Sequence, residues 1–351
     1  MKKGYRHRVI QAGDTLEVVE TFPGRLGSGF TRQGYQGSTP LAQEKYNEKL
    51  RIRELTRIIN ENFGEDDYHL VLTYERGKRP DSDTAKLYCR QFTRKLTALY
   101  RKRGEELRFV KVHAFGERGA LHHHLVINNV DKVKVREINE LWEYSKKPQY
   151  FAMYEGGDYS SLAAYLVRQC KTGLKEGERL NSKAWSCSRN IRKPAVIKDT
   201  EISKICWKEP PTPKVGYFID RDSIDAGVNE FNGRPYLFYR QIKRKEVLFA
   251  VTTEGVILRS AEARKYVRRT WPDVKEPDKF SVVTDTGQLL LGETADRYLR
   301  ELNRRDIKNN WKDIAEFGKI TKKEKKENEG KEGSDMRVKN MDYGGASLFR
   351  Q

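Results

Sequence analysis

Residues 107–129 read LRFVKVHAFGERGALHHHLVINN, and the fold follows from how this stretch is divided. Two runs rich in apolar and β-prone residues, Leu107–Phe115 and Leu121–Ile127, flank the break Gly116-Glu117-Arg118-Gly119-Ala120, the pattern of a β-hairpin. Side chains alternate across a strand, so His122 and His124 share one face while Leu121, His123 and Leu125 share the other. Glu117 lies across the turn from the two imidazoles. Two histidines and one carboxylate form a recurring set for a divalent cation with open positions. A polar strand end is the plain alternative for three adjacent histidines, but half of the chain's six histidines lie in this one tripeptide. The spacing does not suit a structural zinc site, which takes four ligands and usually paired thiolates.

Outward from the hairpin, the order of elements is that of a split βαβ arrangement. A helix is expected over Leu41–Asn62 and a short buried strand over Tyr68–Tyr74. The segment Asp83–Arg103 repeats Leu87, Tyr88, Phe92, Leu96 and Leu99 at helical spacing and stops at Gly104. After the hairpin come a helix over Lys134–Tyr144, a strand over Gln149–Tyr154 and a helix over Tyr159–Lys171. The fold class is therefore α+β, a mainly antiparallel sheet with packed helices. Residues 1–40 read as an extended basic arm, 41–244 as the main domain, 245–317 as a small C-terminal α+β unit and 318–351 as a disordered charged tail. Val215–Ile219 and Pro235–Tyr239 bracket turn residues and suggest a further hairpin. Trp185–Val196 reads as a loop, and Ala261–Thr270 as a helix of the small unit.

Sixty-nine Lys and Arg against 50 Asp and Glu give a net charge of +19, which favours a polyanionic partner. Neither an apolar run of membrane-spanning length nor a secretory signal is visible, so a cytoplasmic protein without a membrane partner is expected. Four scattered cysteines without a CxxC pair argue against a disulfide framework.

An open cation beside a basic surface can polarise a phosphate ester, which directs attention to nucleophiles. In SLAAYLVRQCK, Leu162, Ala163, Leu166, Val167 and Cys170 form the apolar stripe, whereas Tyr165 and Arg168 project away from it. Arg168 at i+3 can set a cation beside the tyrosine hydroxyl or a phosphate. A half-exposed tyrosine packing on a neighbour is the plain alternative, and Tyr159 and Tyr154 compete as nucleophiles. Arg189, Arg192 and Lys193 suit backbone phosphates, and Trp185 suits stacking on a base.

The strand LVLTY (70–74), the hairpin ERGALHHHLVIN (117–128) and the helix AAYLVRQ (163–169) together resemble the HUH endonucleases, specifically the rolling-circle replication initiators of plasmids and phages. The resemblance implies that His122 and His124 bind Mg²⁺ or Mn²⁺ with Glu117 as third ligand. It implies that Tyr165 nicks single-stranded origin DNA, leaving a 5′-phosphotyrosyl link and a free 3′-OH that primes synthesis. Arg168 stands where that family usually has Lys, and His123 where it has a hydrophobic residue. A P-loop is absent from the sequence, so host helicase and polymerase are expected partners. Relaxases and transposases share this chemistry, and a non-catalytic nucleic-acid-binding module is the reading that leaves it out.

Overall fold

The computed structural model describes residues 4–22, 41–116, 120–145, 148–153, 156–170, 184–203, 210–228, 234–244, 249–251, 257–259, 281–283 and 288–327. The chain is α+β and divides into two compact units. One comprises Gln11–Thr15 and Thr31–Ala195; the other comprises Met1–Ile10, Leu16–Phe30 and Val196–Gln351.

The 31–195 unit holds the split βαβ arrangement. Its elements are α1 (Leu41–Asn62), β3 (Tyr68–Leu72), α2 (Ser82–Lys102), β4 (Phe109–Phe115), β5 (Leu121–Ile127), α3 (Val135–Glu140), β6 (Gln149–Ala152), α4 (Ser160–Gln169) and β7 (Ser186–Cys187). The strands lie in the order β6-β3-β5-β4-β7, and all neighbours are antiparallel. The hairpin register pairs Phe109 with Ile127 and Phe115 with Leu121, the two arms legible in the sequence. Two of the helical stretches are shorter than their periodicity suggested, α3 by several residues.

Each face of this sheet carries its own core. On one face Leu70, Leu72, Leu121, Leu125 and Ile127 pack against Ala85, Cys89, Phe92, Leu96 and Tyr100 of α2. Those α2 positions recur every three or four residues, which builds one continuous apolar stripe. Asp81 caps the helix by accepting from the backbone N–H groups of Asp83 and Thr84 at 2.9 and 3.0 Å, and Gly104, at φ +74°, ends it. On the other face Val110, Val112 and Val126 meet Leu55 and Ile59 of α1 and Ala163, Leu166 and Val167 of α4.

Asn60 seats α4 on α1. Its side-chain carbonyl accepts from the Tyr159 N–H at 2.9 Å, and its amide donates to Asp158 at 3.2 Å and to the Thr15 hydroxyl at 3.1 Å. Gly13, at φ +53°, is required beside this node, because a Cβ there would lie 2.0 Å from the Asn60 carbonyl oxygen.

In the other unit, β1 (Tyr5–Ala12) and β2 (Thr15–Thr21) join β8 (Ala195–Ile202), β9 (Tyr217–Val228) and β10 (Pro235–Lys243) in the order β8-β1-β2-β10-β9. Residues 5–21 are thus sheet strands and not an extended arm; Tyr5–Ala12 alternates facing, and Gly13-Asp14 makes the turn. The β9–β10 pair was expected and is antiparallel, but both strands are longer than expected. Because they pair beside β1 and β2, they leave the domain in which the sequence reading had placed them, 41–244. Val196–Ile202, read as loop and flank, is strand.

Strands β11 (Phe249–Val251), β12 (Ile257–Arg259), β13 (Ser281–Val283) and β14 (Leu289–Leu291) form a small sheet in the order β12-β11-β13-β14. The last helix, α5 (Gly292–Glu327), runs ten residues past the boundary expected for a disordered tail, burying Ile307 and Trp311 against Val18, Ile219 and Leu237. The expected helix over Ala261–Thr270 and the tail beyond Glu327 lie outside the described residues. Among the described residues, no helix is long and apolar enough to cross a membrane.

If Asn60 seats α4, Asn60→Ala removes about 2 kcal/mol locally, and amide exchange throughout α4 accelerates about thirtyfold. Unchanged exchange in α4 would rule out this role.

Candidate functional site

The register that pairs Val71 with His124 and His69 with Val126 sets His69, His122 and His124 on the α1/α4 face of the sheet. His69 and His124 are diagonal neighbours on adjacent strands. Their rings stack at 5.1 Å between centroids, and His69 Nε2 lies 3.0 Å from His124 Nδ1. On its other side His124 presents Nε2 to His122 Nε2 at 3.1 Å. His122 Nδ1 lies 3.0 Å from the Ala120 carbonyl oxygen. A carbonyl only accepts, so His122 Nδ1 carries the proton and its Nε2 carries the lone pair.

Burial keeps two of these rings neutral. His69 is held down to about 4 by desolvation. His124 is held down to about 2, by burial first and then by His69 and His122. A neutral imidazole is the form that ligates a cation. The pair His122–His124 therefore offers two Nε2 donors converging from one strand, a fit to the divalent ion implied by the resemblance.

Tyr165 is brought to this cluster. Its ring stands edge-on to His124 with centroids 5.3 Å apart, and to His69 at 6.3 Å. It is 42% exposed, as its position off the apolar stripe of α4 suggested. Arg168, one turn on, is exposed and lies 3.8 Å from Glu48 of α1. Tyr159 is placed differently, at the N-cap of α4 with 3% exposure and its ring in the core of Leu55, Ile59 and Leu166. Its buried phenol is pushed well above the ordinary range by desolvation, which disfavours it as a nucleophile. Glu117 and Tyr154 lie outside the described residues.

The basic residues after α4 have structural duties as well as charge. The Arg192 backbone N–H donates to Asn62 Oδ1 at 2.8 Å, and the Asn62 amide donates back to the Arg192 carbonyl at 2.9 Å. Arg189 and Lys193 are exposed beside it. Trp185 is partly buried against the α1/α4 core, so only part of its ring is open to a base.

His69 was missed by the sequence reading. It sits two residues before Val71 in a strand whose register against β5 was not fixed by local pattern. A second polar group lies on the α2 face: Cys89, His113 and His123 bring one ligand atom each within 4.8 Å of one another, an arrangement able to hold a metal ion.

Nitration followed by peptide mapping should label Tyr165 and spare Tyr159. Labelling of Tyr159 in the folded protein would contradict its burial.

No curated protein and no solved structure matches the chain. Residues 67–172, less than a third of the sequence, match the model of a replication-associated protein family, the one named for ORF2, and that stretch runs from β3 to α4.

Proposed function

We propose that this chain is a replication initiator that nicks single-stranded origin DNA through Tyr165 and rejoins strands, in the manner of rolling-circle replication. The observation that carries the reading is the edge-on approach of Tyr165 to His124, on the face that also holds His122. The replication-family match over residues 67–172 covers the elements that supply all three side chains. The net charge of +19 suits a nucleic-acid substrate.

In the proposed reaction the Tyr165 phenol oxygen attacks phosphorus and loses its proton, and the bond from phosphorus to the 3′ oxygen breaks. The DNA is left with a free 3′-OH, and its 5′ phosphate is esterified to Tyr165. The reverse attack by a 3′-OH rejoins strands. A Mg²⁺ or Mn²⁺ ion held by His122 and His124, with Glu117 a further candidate ligand, would stabilise charge developing on the phosphate oxygens. Arg168 supplies a second cation on the same helix. Its charge is fixed, since a guanidinium does not deprotonate in this range. Arg189, Arg192, Lys193 and Trp185 are candidate contacts to the flanking strand. Host helicase and polymerase would supply unwinding and synthesis.

The role of His69 follows from hydrogen-bond direction. For His124 Nε2 to offer its lone pair, the proton of the neutral ring must sit on Nδ1, and His69 Nε2 is the acceptor at 3.0 Å. Without an ion the natural direction is opposite: His124 Nε2–H donates to the lone pair of His122, and His69 Nε2–H donates to His124. Ion binding would therefore reverse the His124 tautomer, which ring ¹⁵N shifts report. His69→Phe keeps a ring but removes the acceptor, so divalent-ion affinity should fall about ten- to a hundredfold with the fold retained. Unchanged affinity by calorimetry would remove His69 from this role.

The function is tested with labelled single-stranded DNA from the chain's own genetic neighbourhood, with Mn²⁺ or EDTA, on a denaturing gel. A protein–DNA adduct that needs the metal and is lost in Tyr165→Phe is the expected result. An adduct that survives the substitution would move the nucleophile. Tight binding without any adduct would favour a binding module.

A further inference from the structure

We propose that Cys89, His113 and His123 form a second metal site, on the α2 face of the sheet, for a borderline-soft divalent ion of the Zn²⁺ class. This site stands apart from the proposed nicking centre in residues, face and chemistry. Its three donors come from three elements: Cys89 from the buried stripe of α2, His113 from β4 and His123 from β5. His113 and His123 are direct cross-strand partners, which points both imidazoles to the face that α2 covers. Their Nδ1 atoms lie 2.6 Å apart, with all three ligand atoms within 4.8 Å.

The tautomer of His123 is set by a neighbour. The Tyr74 hydroxyl donates to the Ala85 carbonyl at 3.2 Å, so the 2.8 Å contact to His123 Nε2 requires that nitrogen to donate. The lone pair of a neutral His123 is then on Nδ1, facing His113. Outer-sphere hydrogen bonds of this kind are what orient metal-bound histidines. Tyr74 and Trp142 wall the cluster, and their rings meet the His123 ring edge-on at 5.7 and 6.1 Å.

A thiolate with two imidazoles selects a different ion from the nicking centre. Mg²⁺ and Mn²⁺ favour oxygen donors, whereas thiolate with imidazole suits Zn²⁺. Binding replaces the Cys89 S–H bond with an S–metal bond, and the proton goes to solvent. Cys89 and His123 are fully buried, so the ion would enter as the chain folds and leave slowly. Held there, it would tie α2 to the β4–β5 hairpin directly behind His122 and His124.

The test uses the full chain, reduced and purified without chelator, with metal content measured before and after EDTA dialysis. About one equivalent of Zn²⁺ should survive dialysis in the wild type and in the His122→Ala/His124→Ala double variant. Refolding with Co²⁺ should give thiolate-to-cobalt charge-transfer absorption in the near ultraviolet, lost in Cys89→Ser. If Cys89→Ser does not fold, His113→Gln serves instead, with Co²⁺ affinity expected to fall at least about tenfold. The proposal is overturned if wild-type protein refolded with Co²⁺ shows no charge-transfer band. It is equally overturned if the band persists in Cys89→Ser or disappears in the His122/His124 double variant.

Discussion

The antiparallel register of β5 between β3 and β4 is the constraint on which the rest of this unit depends. Because strand side chains alternate, a slip of one residue would exchange the two faces completely. His122 and His124 would then turn to α2, and His123 with Leu121 and Leu125 would turn to α1 and α4. What prevents the slip is burial on both sides. Leu125 and Ile127 are fully buried against the α2 core, and Val126 is fully buried in the other. Burying one such aliphatic side chain contributes about 1.5–3 kcal/mol, so exchanging faces would set several of these contributions at risk together.

The same constraint explains what could be read from the sequence. The β4–β5 hairpin, the stripe of α2 and the outward position of Tyr165 all follow from local periodicity, and the structure has each of them. The capping of α2 by Asp81 and its end at Gly104 are likewise local. His69 was not legible, because its place beside His124 depends on pairing across fifty-five residues. Nor was the partnership of Cys89 with His113 and His123, which needs the crossing of α2 over the hairpin.

Residues 5–21 show a different failure. Their alternation and the Gly13-Asp14 turn were present, but basic residues at Arg6 and Arg8 gave the segment the look of an arm. Both arginines lie on β1 and bind Asp199 of β8. Charge that seemed free for a polyanion is partly spent on strand pairing. Likewise Glu17, almost fully buried, meets Arg240 at 3.5 Å across 223 residues of sequence. A buried ion pair of this kind is costly to form and costlier to break on one side, so it pins the pairing of distant strands more than it adds net stability. Composition cannot distinguish such arginines from those that face solvent, and the +19 charge therefore overstates the surface left for nucleic acid.

The histidines divide by what lies on their second nitrogen. His122 is fixed by the Ala120 carbonyl and His123 by the Tyr74 hydroxyl, and each has one nitrogen committed as donor and the other left with a lone pair. His124 has an imidazole on both sides and is the one ring of the strand whose proton can sit on either nitrogen. The adaptable ring is thus placed between a fixed ring and His69, itself neutral and buried. A cation arriving at the His122 side needs no protonation change from solvent, only a shift along a chain of imidazoles already in contact. That arrangement allows a buried pair of histidines to change from hydrogen-bonded partners to ligands without exposing an uncompensated charge.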